Sequence, residues 1–231
     1  MKHLHRYLRQ LRKVHRQHEH PLIHHLHATY HISHRTLFYV KEYGQQSNVA
    51  RVIVKESAGI LLLAMLITLL GGIALEEIKT SLVAIIPLVI LLPVLNDLIG
   101  DYGTIVSSRF ATMLHEGRIQ GRAFKNPDVQ KLIFQVMLIA AITAVGSVGA
   151  SLIISALAGF TLDLAIIIRI ILIALLDTLL LVALLAVVAI TAGLYLYRKK
   201  EDPNNILIPL TTAVADVGNI IIMALLIATF F

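Results

Sequence analysis

Long apolar runs separated by short polar segments dominate the chain after its first quarter. Five such runs occur, at 57–75, 80–110, 132–160, 170–197 and 206–231. About 20 apolar residues in a helix cross a bilayer, and only helices satisfy every backbone group of such a segment in hydrocarbon. The pattern therefore predicts an all-α polytopic membrane protein with five transmembrane helices. We expect the second and fifth helices to be interrupted at Pro93 and Pro209, since proline removes a helical hydrogen bond.

Composition supports lipid as the main solvent of this chain. Of its 231 residues 57% are hydrophobic and only 15% are charged, with a mean hydropathy of +0.80. Soluble domains carry about 25% charged residues, so this chain has too few to cover its surface in water. The absence of cysteine excludes disulfides and thiolate metal sites.

The distribution of Lys and Arg predicts the orientation of the helices. Of the 20 basic residues, 18 lie in three segments, 1–56, 109–131 and 198–200, and only Lys79 and Arg169 lie on the other side. Because basic loops stay in the cytoplasm, we expect a multi-pass protein of the cell membrane with its N-terminus inside and its C-terminus outside. The net charge of +6 thus marks topology and does not indicate nucleic acid binding.

Residues 1–54 differ in composition from the membrane domain predicted at 55–231. Ten of the 11 histidines lie between His3 and His34, mixed with Lys and Arg. Pairs three or four residues apart, such as His20 and His24, share a helix face and could chelate zinc. We favour a basic cytosolic arm lying on anionic headgroups, because no cysteine and only one carboxylate, Glu19, lies among these histidines to support a ligand cage. A metal-sensing or pH-sensing arm remains an alternative.

Four carboxylates lie within the predicted membrane segments: Asp97, Asp101, Asp177 and Asp216. Each costs roughly 2.5–3.5 kcal/mol on insertion scales, and such acids are retained mainly along ion pathways or in ion pairs. The sequence offers no Lys or Arg at matching depth. The unpaired acids therefore indicate an external cation. Asp177, alone among leucines, could equally serve only as a hydrogen-bond acceptor for a neighbouring helix.

The spacing of these acids indicates which cation they would bind. Asp97 and Asp101 are four residues apart and share a helix face, and Thr212, Asp216 and Asn219 form a stripe on the fifth helix. Hard oxygen donors favour Mg²⁺, Ca²⁺ or Mn²⁺, and Mg²⁺ in particular keeps several waters beside one or two carboxylates. We predict Asp216, Asp101, Asp97, Thr212 and Asn219 as the residues that bind the ion. Coupling to a monovalent cation or a proton stays open.

Two segments resemble the membrane domain of the MgtE and solute carrier family 41 magnesium transporters. The stretch from Pro93 to Arg109 and beyond is similar to the family's second helix, which has a proline, then Gly-Asn, then a Ser-Arg-x-x-Thr ending. The residues that match are Gly100, Ser108, Arg109 and Thr112, whereas Asp101 replaces the usual asparagine. The stretch 209–219 resembles the proline-to-aspartate motif of the fifth helix, and 55–57 resembles the entry segment.

The resemblance implies Mg²⁺ transport through a pore between two five-helix units, lined by the second and fifth helices, with Asp216 holding the hydrated ion. Since this chain has one unit, we expect a homodimer, or a heteromer with another half-size chain. A broader Mn²⁺ or Co²⁺ carrier and an exchanger driven by Na⁺ or H⁺ are alternatives. A non-transporting scaffold or sensor is a further one, and no constellation of residues indicates an enzyme.

Overall fold

A computed structural model describes residue 29 and residues 49–119, 122–199 and 202–231. Five helices follow one another: α1 (Val49–Ala84), α2 (Ile86–His115), α3 (Pro127–Leu157), α4 (Leu164–Arg198) and α5 (Pro203–Phe230). All five are long and apolar enough to cross a membrane, and the described ranges contain no strand. The predicted all-α fold and its five spans are therefore confirmed. The predictions on the histidine-rich arm fall almost wholly outside the described residues.

The helix boundaries follow from local chemistry. The chain leaves α1 at Ile85, whose backbone is not helical (φ −121°, ψ 84°), and Pro87 lies in the first turn of α2, where its missing N–H costs nothing. A 3₁₀ turn at Ala123–Lys125 precedes α3, whose N-cap Asn126 accepts a hydrogen bond from the Asp128 N–H at 2.9 Å. Asp202 caps α5 in the same way. These caps satisfy donors that a helix cannot pair internally.

The interruptions predicted at Pro93 and Pro209 are not confirmed, because α2 and α5 run through both prolines as continuous helices. Pro209 removes the N–H that would pair with the carbonyl of Asn205. The hydroxyls of Thr211 and Thr212 donate to other carbonyls, those of Leu207 and Ile208, at 2.8 and 3.0 Å respectively, and so do not replace that bond.

Helices α2, α4 and α5 form the centre of the bundle, with α3 against α2 and α4 and with α1 mainly against α5. Their shared core is aliphatic and fully buried, including Leu91, Leu95, Ile173, Leu181 and Met223. By contrast, most large apolar side chains of α1 between Leu61 and Ile73 are exposed. The central three helices therefore contain most of the buried core and most of the polar groups described below.

Gly103 allows α2 to approach α4 and α5 closely. A Cβ at this position would lie 3.0 Å from Thr211 Cβ and 3.1 Å from Leu185 Cδ1. Small residues at such crossings permit close backbone packing in membranes.

We expect Gly103→Val to lower the melting temperature of the detergent-solubilised protein by about 2–10 °C, since overpacking costs about 1–3 kcal/mol. Gly149→Val is the matched control, because a Cβ on Gly149 of α3 meets nothing within 4 Å. Equal melting temperatures for the two variants, measured by intrinsic or dye fluorescence, would contradict the close approach at Gly103.

Candidate functional site

A polar groove of about 310 Å³ lies between α2 and α5. Six of its eight lining residues have polar side chains: Asn96, Asp97, Asp101, Thr104, Thr212 and Asp216, beside Pro93 and Gly100. Four of the five predicted ion-binding residues thus meet at one place, although α2 and α5 are far apart in sequence. The fifth, Asn219, is fully buried and does not line the groove.

The groove lies near the middle of the two helices that form it. At 1.5 Å per residue α2 is about 45 Å long, and Asp97 and Asp101 lie about 17 and 22 Å from its start. Asp216 lies about 20 Å along α5. A hydrocarbon core of about 30 Å centred on these helices would contain all three carboxylates. With that placement, the groove would lie at the depth at which helical transporters commonly bind their substrates.

Neutral hydrogen-bond donors from two other helices hold the Asp216 carboxylate. Asn96 Nδ2 of α2 donates to Asp216 Oδ1 at 2.7 Å, and Thr68 Oγ1 of α1 donates to Asp216 Oδ2 at 3.2 Å. Neither donor carries a positive charge, so the carboxylate is oriented without being neutralised. Its charge remains available to a cation in the groove.

Asp97 and Asp101 are exposed and extend into the groove from successive turns of α2. Within the part of the chain that the structure describes, neither accepts a hydrogen bond or pairs with a cation. Arg109, the only Lys or Arg of α2, lines a different groove. Three carboxylates thus face one polar groove without a counter-charge among the described residues.

Behind the groove, Asn219 connects Asn96 to the buried Asp177 of α4. In one orientation of its amide, Asn219 Nδ2 lies 3.1 Å from Asn96 Oδ1 and donates to it. In the other orientation the amide nitrogen faces α4 and donates to Asp177 Oδ2 at 2.7 Å, and the amide oxygen accepts from the Asn96 N–H at 3.2 Å. Asp177 Oδ1 has no partner among the described residues. In that second orientation, Asn219 links Asp177 to Asn96, which lines the groove.

The groove is large enough for a hydrated cation. No three His, Asp or Glu side chains in the described ranges converge closely enough to chelate a metal ion directly. Six waters occupy about 180 Å³ in the liquid, so the groove has room for an ion that keeps its octahedral water shell. The groups that meet such a shell are hydroxyl, amide and carboxylate oxygens, which hard divalent cations prefer.

Sequence reasoning found the acids but missed Thr68. Nothing in the pattern of α1 distinguishes this threonine, and only the packing of α1 on α5 brings it to Asp216. The separation of Asn219 from Thr212 and Asp216 was also not visible, because the three positions form a single broad stripe on α5. Asn219 faces the core, whereas Thr212 and Asp216 border the groove.

Comparison with known proteins identifies the family. The family model of MgtE, described as a divalent cation transporter, matches residues 92–226, which is more than half of the chain and includes every residue of α2 and α5 that lines the groove. Neither the curated proteins nor the solved structures contain a significant match. The chain therefore belongs to the MgtE family of divalent cation transporters and is not an enzyme.

Proposed function

We propose that this chain transports Mg²⁺, with its inner water shell largely retained, along the groove between α2 and α5. The observation that supports this most directly is the presence of three carboxylates, Asp97, Asp101 and Asp216, around a polar groove near the middle of the bundle. Mg²⁺ gives up its waters reluctantly and is held by few carboxylates, which fits this lining.

A second copy of the chain is part of the proposal. In a single five-helix unit Asp97 and Asp101 are exposed at mid-helix, where hydrocarbon would otherwise meet them. Each charge would then cost roughly 2.5–3.5 kcal/mol or more. A partner that covers the open side of the groove, with water between the copies, would convert it into a pore. A homodimer is the simplest assembly, and the mass of the detergent-solubilised complex tests it directly.

We also propose that the protein resides in the cell membrane with the N-terminus in the cytoplasm. Among the described residues, most Lys and Arg lie toward one end of the bundle, and two, Lys79 and Arg169, lie toward the other. The first group includes Arg109, Arg118, Arg122, Lys125, Lys131, Arg198 and Lys199. The positive-inside rule assigns the first end to the cytoplasm. Protease accessibility of a tag placed before Met1 in intact and opened cells tests this orientation.

The decisive experiment is ion flux into liposomes that contain the purified full-length chain. We expect a Mg²⁺-sensitive dye inside the liposomes to report uptake that is absent from protein-free liposomes. Mn²⁺ and Co²⁺ are tested in parallel, each with and without Na⁺ and pH gradients. If the protein transported Mn²⁺ or Co²⁺ but not Mg²⁺, Mg²⁺ would not be its substrate. If Mg²⁺ flux required a Na⁺ or pH gradient, the protein would be an exchanger.

A further inference from the structure

A second groove, larger than the first, opens on the other side of α2. It has a volume of about 640 Å³ and lies between the second half of α2 and the first half of α3. Its lining combines ionic and apolar side chains: Ile105, Arg109, Met113, Arg118, Asp128, Lys131, Leu132, Gln135, Val136, Leu138 and Ile139. None of the residues that line the carboxylate groove contributes to it.

The polar and apolar parts of this groove lie at different depths. Lys131 is in the second turn of α3, and Arg109 is about 9 Å from the end of α2, so both lie toward the basic end of the bundle. Further from the basic end, the same face of α3 carries Gln135, Leu138 and Ile139. These residues lie opposite Ile105 of α2. The groove thus has a cationic end near the headgroups and an apolar end that extends into the hydrocarbon.

The charges in the groove leave an uncompensated positive balance. Arg118 donates to Asp128 Oδ2 from Nη2 at 2.7 Å and from Nε at 3.2 Å, and it also pairs with Glu116 at 3.4 Å. The hydrogen bond and the negative charge of Asp128 raise the pKa of Arg118. The charges of Arg118 and Asp128 therefore compensate each other. Within the described ranges, Arg109 and Lys131 form no ion pair or hydrogen bond.

We propose that this groove binds one anionic phospholipid of the leaflet at the basic end of the bundle. Its phosphate would lie between Arg109 and Lys131, with Gln135 as a further donor. One acyl chain would lie along Ile105, Leu138 and Ile139. The apolar wall favours a lipid over a soluble phosphate, which would leave those side chains without a partner, and the two cations favour an anionic lipid over a zwitterionic one.

Native mass spectrometry of the full-length chain in detergent tests this proposal. Phosphatidylglycerol, phosphatidylcholine and glycerol 3-phosphate are titrated separately, and glycerol 3-phosphate is also tested as a competitor. We expect phosphatidylglycerol to bind in preference to phosphatidylcholine, without competition from glycerol 3-phosphate. In the double variant Arg109→Gln/Lys131→Gln we expect its affinity to fall about 30-fold, since each basic residue at an anionic surface contributes about fivefold.

The double variant Arg122→Gln/Lys125→Gln is the matched control, because it removes two charges from the same end but outside the groove. We expect it to bind phosphatidylglycerol within about twofold of the wild type, well short of the contribution of one basic residue. Equal losses in the two double variants would mean diffuse attraction and would overturn the proposal. Unchanged binding in the groove variant, or competition by glycerol 3-phosphate, would also overturn it. If the groove variant does not fold, the single variants decide, with a loss of about fivefold expected in each.

Discussion

Replacing Asp216 with asparagine is expected to lower Mg²⁺ flux at least tenfold while leaving the fold intact. Asparagine has the same shape and keeps an oxygen that can accept from Asn96, and the Thr68 hydroxyl can rotate to accept from the new amide. The variant therefore removes charge with little change in shape. At about 5 Å and an effective dielectric constant near 20, one carboxylate attracts a divalent ion by about 6–7 kcal/mol before solvation costs. Only about 1.4 kcal/mol of this needs to persist for a tenfold effect.

Asp163→Asn is the control for the Asp216 variant. Asp163 precedes α4 as its N-cap, is exposed, and makes no capping hydrogen bond with its side chain. The control therefore removes the same charge at a site away from the groove. Both variants are measured with the Mg²⁺-sensitive dye in liposomes at equal protein content, after their melting temperatures have been compared. If the Asp216→Asn variant transported Mg²⁺ at the wild-type rate, Mg²⁺ flux would not depend on this carboxylate.

The helices were predictable because lipid imposes a strong constraint on sequence. A run such as 132–160 without any charge leaves few alternatives to a membrane helix, and the observed α3 (Pro127–Leu157) overlaps most of it. The same constraint made the acids conspicuous, since each of them is costly in hydrocarbon. The fold and the candidate ion-binding residues were therefore both predictable from the cost of placing polar and charged groups in hydrocarbon.

Details that depend on packing between helices were less predictable. Proline favours a break in a helix. Whether α2 bends or continues at Pro93 depends on the packing and the hydrogen bonds that neighbouring residues provide around it. The observed break precedes Pro87 instead, where the chain turns from α1 into α2. Likewise, the position of Asn219 behind the groove reflects the angle at which α5 meets α2 and α4. That crossing angle cannot be predicted from the sequence pattern of α5 alone.

The double variant Asp97→Asn/Asp101→Asn is expected to raise the Mg²⁺ concentration at half-maximal flux about tenfold or more, with a smaller effect on the maximal rate. These carboxylates are exposed on the open side of the groove, whereas Asp216 is partly buried and hydrogen-bonded. Exposed charges that line a cleft mainly increase the local concentration of the cation. The measurement is a Mg²⁺ titration of flux in liposomes, and the single variant Asp101→Asn tests the departure from the family's asparagine separately.

Ionic strength distinguishes this role from that of Asp216. Screening lengths fall from about 10 Å at 0.1 M salt to about 3 Å at 1 M, and exposed charges are screened more than buried ones. We therefore expect the difference between the wild type and the Asp97/Asp101 double variant to shrink as a salt of small monovalent ions, which can enter the water between the two copies, is added on both sides. The defect of Asp216→Asn should persist, because the salt cannot enter the space between Asp216 and an ion held against it. If both defects disappeared together with salt, all three acids would act only as surface charge. The groove would then have no binding position for the ion.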